Sequence, residues 1–155
     1  VSCWGDGAAF VAFFFNGTAT TEIYTGVEAL IGDFVRGRGD ASDLQIHTKY
    51  VPDLAALGSL TAADVEAAIT RSRTRLGVEV LDLVQFHWWD YATPRYVEIA
   101  LELERLRRAG KIDRIGLTNF GTPQVRELLL AAEGLLAATG DQVLLCPRYG
   151  REAGA

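Results

Sequence analysis

Short apolar runs alternate with amphipathic helical patterns along most of this chain. Strand-like runs are predicted over Asp43–Tyr50, Leu81–His87 and Ile112–Phe120, with weaker ones at Phe10–Phe15 and Gln142–Leu145, and helical patterns lie between them. Alternation of this kind indicates parallel βα units, because a parallel strand is reached only through a crossover connection, usually a helix. The sequence therefore predicts an α/β fold. The alternation alone leaves open a doubly wound sheet or part of a (β/α)8 barrel.

Motifs and composition argue against several classes of fold and partner. No Gly-x-Gly-x-x-Gly occurs at a strand-to-helix turn, which weakens the dinucleotide-binding doubly wound alternative. The 155 residues suit about one domain, and a net charge of −5 argues against a nucleic-acid partner. Cys3 and Cys146 lie near opposite ends and form no metal or disulfide spacing. No apolar stretch is long enough to span a bilayer, so a cytoplasmic protein without a membrane or metal partner is predicted.

Polar side chains follow the predicted strands at their carboxyl ends. Lys49 ends one strand, His87 the next, and Thr118 and Asn119 the one after, while Tyr24 comes soon after the first weak strand. The carboxyl ends of parallel strands meet at one rim, where ligands bind in α/β folds. The sequence therefore predicts a site formed by these five residues.

The residue types at this rim fit carbonyl chemistry. A lysine beside Tyr24 would lower the pKa of the phenol and make it a usable proton donor. A neutral histidine can hold a carbonyl oxygen through one hydrogen bond, and an asparagine can bond an amide from both sides. Each residue also has a structural explanation: a surface tyrosine, a solvated lysine, a histidine that packs at a strand end. His47, in mid-strand, is assigned a structural role.

Four stretches resemble, in the same order, motifs of the aldo/keto reductase family: Glu22–Gly32, Ile46–Lys49, Leu83–His87 and Gly116–Phe120. The resemblance runs from about residue 20 to residue 143. It implies a partial (β/α)8 TIM barrel of about four to five parallel βα units.

The resemblance also implies an activity, the reduction of an aldehyde or ketone by hydride from NADPH. By this resemblance Tyr24 is the general acid, Lys49 its pKa partner and His87 the residue that orients the carbonyl. NADPH is the implied cofactor and a small carbonyl compound the implied partner.

The resemblance assigns the nicotinamide carboxamide to Asn119, with Thr118, and to Gln142 in the sequence Asp141-Gln142-Val143. Trp88 and Trp89 follow the histidine strand and are predicted mainly to pack the rim. A tryptophan beside a pocket can also contact substrate, and Trp88 is predicted to do so.

The chain also departs from the family pattern. Ala19 stands where the family has an aspartate that pairs with the lysine, and a complete barrel is longer than this chain. We predict a poorly matched segment (1–18), a partial barrel truncated at both ends (19–143) and a non-matching tail (144–155), for which we hypothesise a frameshift. The alternative function is a non-catalytic half-barrel or assembly partner. Exposed barrel edges predict self-association in either case.

Overall fold

The structure, a computed structural model, describes residues 9–12, 21–40, 42–139 and 145–147, with side chains at 26–40 and 42–132. Five strands and four helices alternate within it. They are β1 (Ala9–Ala12), α1 (Thr21–Arg38), β2 (Leu44–Tyr50), α2 (Ala62–Leu76), β3 (Leu81–His87), α3 (Tyr96–Arg108), β4 (Ile112–Thr118), α4 (Thr122–Thr139) and β5 (Leu145–Pro147). A 3-10 turn at Leu54–Ala56 precedes α2.

The strands form one parallel sheet in the order β1-β2-β3-β4-β5. Neighbouring helices also pack against one another in chain order. A doubly wound sheet reverses its strand order at a switch point, whereas consecutive units of a (β/α)8 barrel do not. The prediction of four to five parallel βα units of a barrel is therefore confirmed, and the doubly wound alternative is excluded for the described strands.

Strand register separates two faces of the sheet. Paired residues share a face, and Thr48 pairs with Val84 while Phe86 pairs with Leu117. Val84 and Phe86 are completely buried, so this face carries the core against the helices. The opposite face, here called the polar face, carries His47, Lys49, Leu83, Gln85, His87, Arg114, Gly116 and Thr118.

Local signals set most element boundaries. The sequence Thr61-Ala62-Ala63-Asp64 predicts a capping box, and the structure confirms it: Thr61 caps α2 by accepting from the Asp64 amide, and the Asp64 carboxylate accepts from the Thr61 amide. Gly77, with φ of 70°, ends the helix in the left-handed region that favours glycine. The sequence Thr93-Pro94 predicts a cap at Thr93 with proline in the first turn of α3, and this prediction is wrong. The helix begins at Tyr96, because the Thr93 hydroxyl bonds the Asp90 carboxylate instead.

An aromatic cluster links the core to the carboxyl ends of the strands. Phe86 contacts Tyr50, Trp88 and Phe120, with ring centroids 6.0, 5.9 and 5.3 Å away. These rings come from three neighbouring strands or the loops after them, so they tie those loops to the rigid sheet. In the part of the chain that the structure describes, no helix has the length and apolar character needed to cross a membrane.

Candidate active site

Four of the predicted site residues lie at one edge of the sheet. Lys49 is the penultimate residue of β2, His87 ends β3 and Thr118 ends β4, with Asn119 next. His87 and Thr118 are direct partners in the β3–β4 register. The parallel topology therefore brings these residues together although they are spread over 71 positions of sequence.

His87 is half-buried, and its imidazole makes no hydrogen bond to any residue that the structure describes. Both ring nitrogens are shielded from solvent and have no hydrogen-bond partner among the described residues. Burial lowers the pKa of His87, and the nearby Lys49 ammonium lowers that pKa further. A buried imidazole that stays neutral offers one donor and one acceptor nitrogen to a ligand, and unsatisfied buried polar atoms are otherwise costly.

The depressed histidine pKa values predict a loss of stability in mild acid. His47 and His87 are the chain's only histidines, and burial lowers the pKa of both below the ordinary 6.5. Between that value and the lowered folded-state values, the unfolded chain binds more protons than the folded chain. The free energy of unfolding should therefore fall as the pH drops below 6.5, and the loss should end below the folded-state pKa values.

Urea unfolding on either side of pH 6.5 measures this effect. A chain carrying both His47→Gln and His87→Gln should keep the same stability across that window. An equal acid response in the wild-type chain and this double variant would contradict the assignment.

The two tryptophans after β3 have different environments. Trp88 has no exposed surface, packs against Phe86 and Tyr96, and donates its indole N–H to the carbonyl oxygen of Asp90 at 2.8 Å. The structure therefore contradicts the predicted substrate contact of Trp88, whose side chain belongs to the core. Trp89 is 37% exposed and is the tryptophan available at the rim.

Trp89 shields one side of His87. Their ring centroids are 4.5 Å apart, and the Trp89 indole donates to the carbonyl oxygen of Pro52 at 2.9 Å. The hydrogen bond ties the loop after β3 to the loop after β2. From the sequence, Trp89 is predicted only to pack the rim, since nothing local shows which of two adjacent tryptophans faces the histidine.

Asn119 is exposed, and one end of its side-chain amide is hydrogen-bonded. Its side-chain Nδ2 donates to the carbonyl oxygen of Trp88 at 2.7 Å, and Oδ1 accepts nothing from the residues that the structure describes. The neighbouring Thr118 hydroxyl donates to Gln85 Oε1 at 3.4 Å. Asn119 thus presents an oriented amide with a free acceptor, which fits a carboxamide ligand. Gln85 lies on the polar face and falls inside the Leu83–His87 motif, but the motif resemblance gave it no role.

Tyr24 lies in the first turns of α1, and its side chain is outside the described part of the chain. Ala19 and Gln142 lie wholly outside that part.

One turn after Tyr24, the buried Glu28 accepts a hydrogen bond from the Thr48 hydroxyl at 2.7 Å. Arg75 of α2 also approaches Glu28 at 3.4 Å. These contacts fix α1 against the strand that carries Lys49. Glu28 is not predictable as a site residue, because nothing in its local sequence distinguishes it from a surface acid.

A cleft of about 780 Å³ lies between α1, α2 and the end of β2, and its lining does not include His87, Thr118 or Asn119. Lys49 and Trp89 are on its wall, together with Glu28, Arg71 and Arg75. The volume is in the range that binds small molecules. Among the described residues, no three His, Cys, Asp or Glu side chains are grouped to hold a metal ion.

Comparisons with known proteins agree with the motif resemblance. The sequence profile of the aldo/keto reductase family matches residues 8–145. The uncharacterized oxidoreductase YtbE of Bacillus subtilis is 30% identical over 114 residues, which are 74% of this chain and 40% of that protein. The glyoxal reductase of Bacillus subtilis is 39% identical over 67 residues, which are 43% of this chain and 24% of that protein.

Solved structures give the same picture. The crystal structure of an aldo/keto reductase from Klebsiella pneumoniae, in complex with NADP and acetate, superposes with a TM-score of 0.56. It is 27% identical and covers 71% of this chain and 36% of that one. The chain therefore spans 40% or less of the length of each of these three relatives.

Proposed function

The chain belongs to the aldo/keto reductase family, and from this we propose that it reduces an aldehyde or ketone with hydride from NADPH. Members of this family are oxidoreductases. The observation that carries the proposal is the imidazole of His87, whose two buried nitrogens have no partner among the described residues at the edge that also carries Lys49 and Thr118. A carbonyl oxygen would satisfy one of them.

The proposed roles follow from the chemistry of each side chain. His87, kept neutral by burial and by Lys49, donates one hydrogen bond that orients the substrate carbonyl. Tyr24 would donate the proton to the carbonyl oxygen, and a Lys49 ammonium beside that phenol would lower its pKa. Trp89 keeps water away from one side of His87.

The described residues at this edge fit the nicotinamide end of the cofactor. Asn119 would hold the carboxamide through its free Oδ1, with the Thr118 hydroxyl next to it, and Gln142 is a further proposed ligand. NADPH, when bound, supplies the hydride for the carbonyl carbon. The Klebsiella pneumoniae relative, whose structure contains NADP, supports this choice of cofactor.

A steady-state assay tests the proposal. We expect NADPH oxidation that depends on an aromatic aldehyde, with deuterium from labelled NADPH appearing in the alcohol product. The absence of both NADPH binding and aldehyde-dependent oxidation would contradict it and favour the non-catalytic half-barrel. Leu30 and Phe34, exposed on one side of α1 at 69% and 55%, support self-association in that case. A cytoplasmic location stays a prediction.

A further inference from the structure

Two hydrogen bonds fasten the loop after β3 to the loop after β4. The Tyr91 hydroxyl donates to the backbone carbonyl oxygen of Asn119, and Asn119 Nδ2 donates to the carbonyl oxygen of Trp88 at 2.7 Å. Asn119 is thus held by its backbone and by its side chain, from two residues of the same loop.

Asn119 has a backbone conformation that needs support. Its φ is 67°, the only positive value at a non-glycine residue in the described part of the chain. Such a conformation is uncommon outside glycine, although asparagine tolerates it better than most residues. The bond from Tyr91 to the Asn119 carbonyl acts directly on this peptide, so it helps to set the direction in which the Asn119 side chain leaves the loop.

Tyr91 is itself firmly placed. Its ring packs edge-on against Tyr96 and Phe120, with centroids 5.5 and 5.9 Å away. Burial raises the pKa of Tyr91, so its hydroxyl remains a donor throughout the neutral range. The loop that carries it is closed by Asp90, which accepts hydrogen bonds from the Ala92 amide and from Thr93.

We propose that Tyr91 is a positioning residue that holds Asn119 in the orientation required to bind the nicotinamide carboxamide. The inference rests on the proposed function, since it concerns the same amide. In this role Tyr91 would act through its hydrogen bond to Asn119 and not through a contact of its own with the cofactor. The hydroxyl group, and not the ring, is the part that matters for this role.

Tyr91→Phe removes the hydroxyl and keeps the ring in its aromatic contacts. Calorimetric titration should show NADPH binding weakened about fivefold, the value of one hydrogen bond. Binding of 2′-phospho-ADP-ribose, which lacks the nicotinamide, should not change. Tyr96→Phe is the matched control, because it removes a hydroxyl bonded to Glu127 in the same cluster without touching Asn119. Its affinity for NADPH should equal that of the wild-type chain.

Three outcomes of the titration would overturn the inference. If Tyr91→Phe binds NADPH as tightly as the wild-type chain does, Tyr91 has no positioning role, and the proposed function is unaffected. Equal weakening of NADPH and 2′-phospho-ADP-ribose indicates a general effect on structure. A wild-type chain that binds no NADPH overturns the proposed function together with this inference.

Nuclear magnetic resonance of the Asn119 side-chain amide tests the positioning without any ligand. Its signals should shift in Tyr91→Phe and stay in place in Tyr96→Phe. Identical Asn119 signals in the wild-type chain and Tyr91→Phe would also overturn the proposed role.

Discussion

Replacing Trp88 with alanine should lower the free energy of unfolding by about 3–5 kcal/mol, the usual cost of removing a large aromatic side chain from a core. Trp88 has no exposed surface, and it packs between Phe86 and Tyr96. The substitution also leaves the carbonyl oxygen of Asp90 without its indole donor. Small domains are stable by only about 5–15 kcal/mol, so this loss is large. Urea unfolding followed by circular dichroism measures it.

Trp89→Ala is the matched control for Trp88→Ala, because the two tryptophans are adjacent in sequence. Trp89 is 37% exposed. Trp89→Ala removes one hydrogen bond to the carbonyl oxygen of Pro52, worth about 1 kcal/mol, and the ring contact with His87. Trp88→Phe keeps most of the buried volume and should fall between the two. If Trp88→Ala were no more destabilising than Trp89→Ala, the assignment of Trp88 to the core would be wrong.

Replacing His87 with leucine should reduce kcat for an aldehyde about 10²–10³-fold, the range reported for removal of one preorganised donor to a reacting oxygen. Leucine fills much of the same half-buried space but offers no hydrogen bond to the carbonyl. NADPH affinity should remain near the wild-type value, since the proposed carboxamide contacts are made by Asn119 and Thr118. Steady-state kinetics together with NADPH titration measures the two effects separately.

His47→Leu provides the comparison for His87→Leu. His47 lies on the same polar face but in the middle of β2, away from the strand ends. His47→Leu should therefore leave kcat unchanged. Tyr24→Phe should abolish turnover, because it removes the proposed proton donor. An undiminished kcat in His87→Leu would show that the carbonyl is oriented by another group.

The order of strands and helices was predictable because it depends on local periodicity. The apolar run ending in His87, the capping box at Thr61 and the stop at Gly77 each act within a few residues. Boundaries were less accurate where a side chain has a distant or competing partner. At Thr93 the hydroxyl bonds Asp90 and does not cap α3, a choice that the Thr93-Pro94 pattern does not reveal.

Sequence alone predicts the family, the alternation of strands and helices, and the placement of Lys49, His87, Thr118 and Asn119 at strand ends. Each of these features depends on a short segment, since a motif or a hydrophobic period is complete within one turn or one strand. Three other features are visible only in the folded chain: the sheet order, the burial of Trp88 beside an exposed Trp89, and the attachment of Asn119 to Tyr91. These depend on register and on contacts between distant segments. Asn119 and Tyr91 are 28 positions apart, and only the pairing of β3 with β4 brings their loops together.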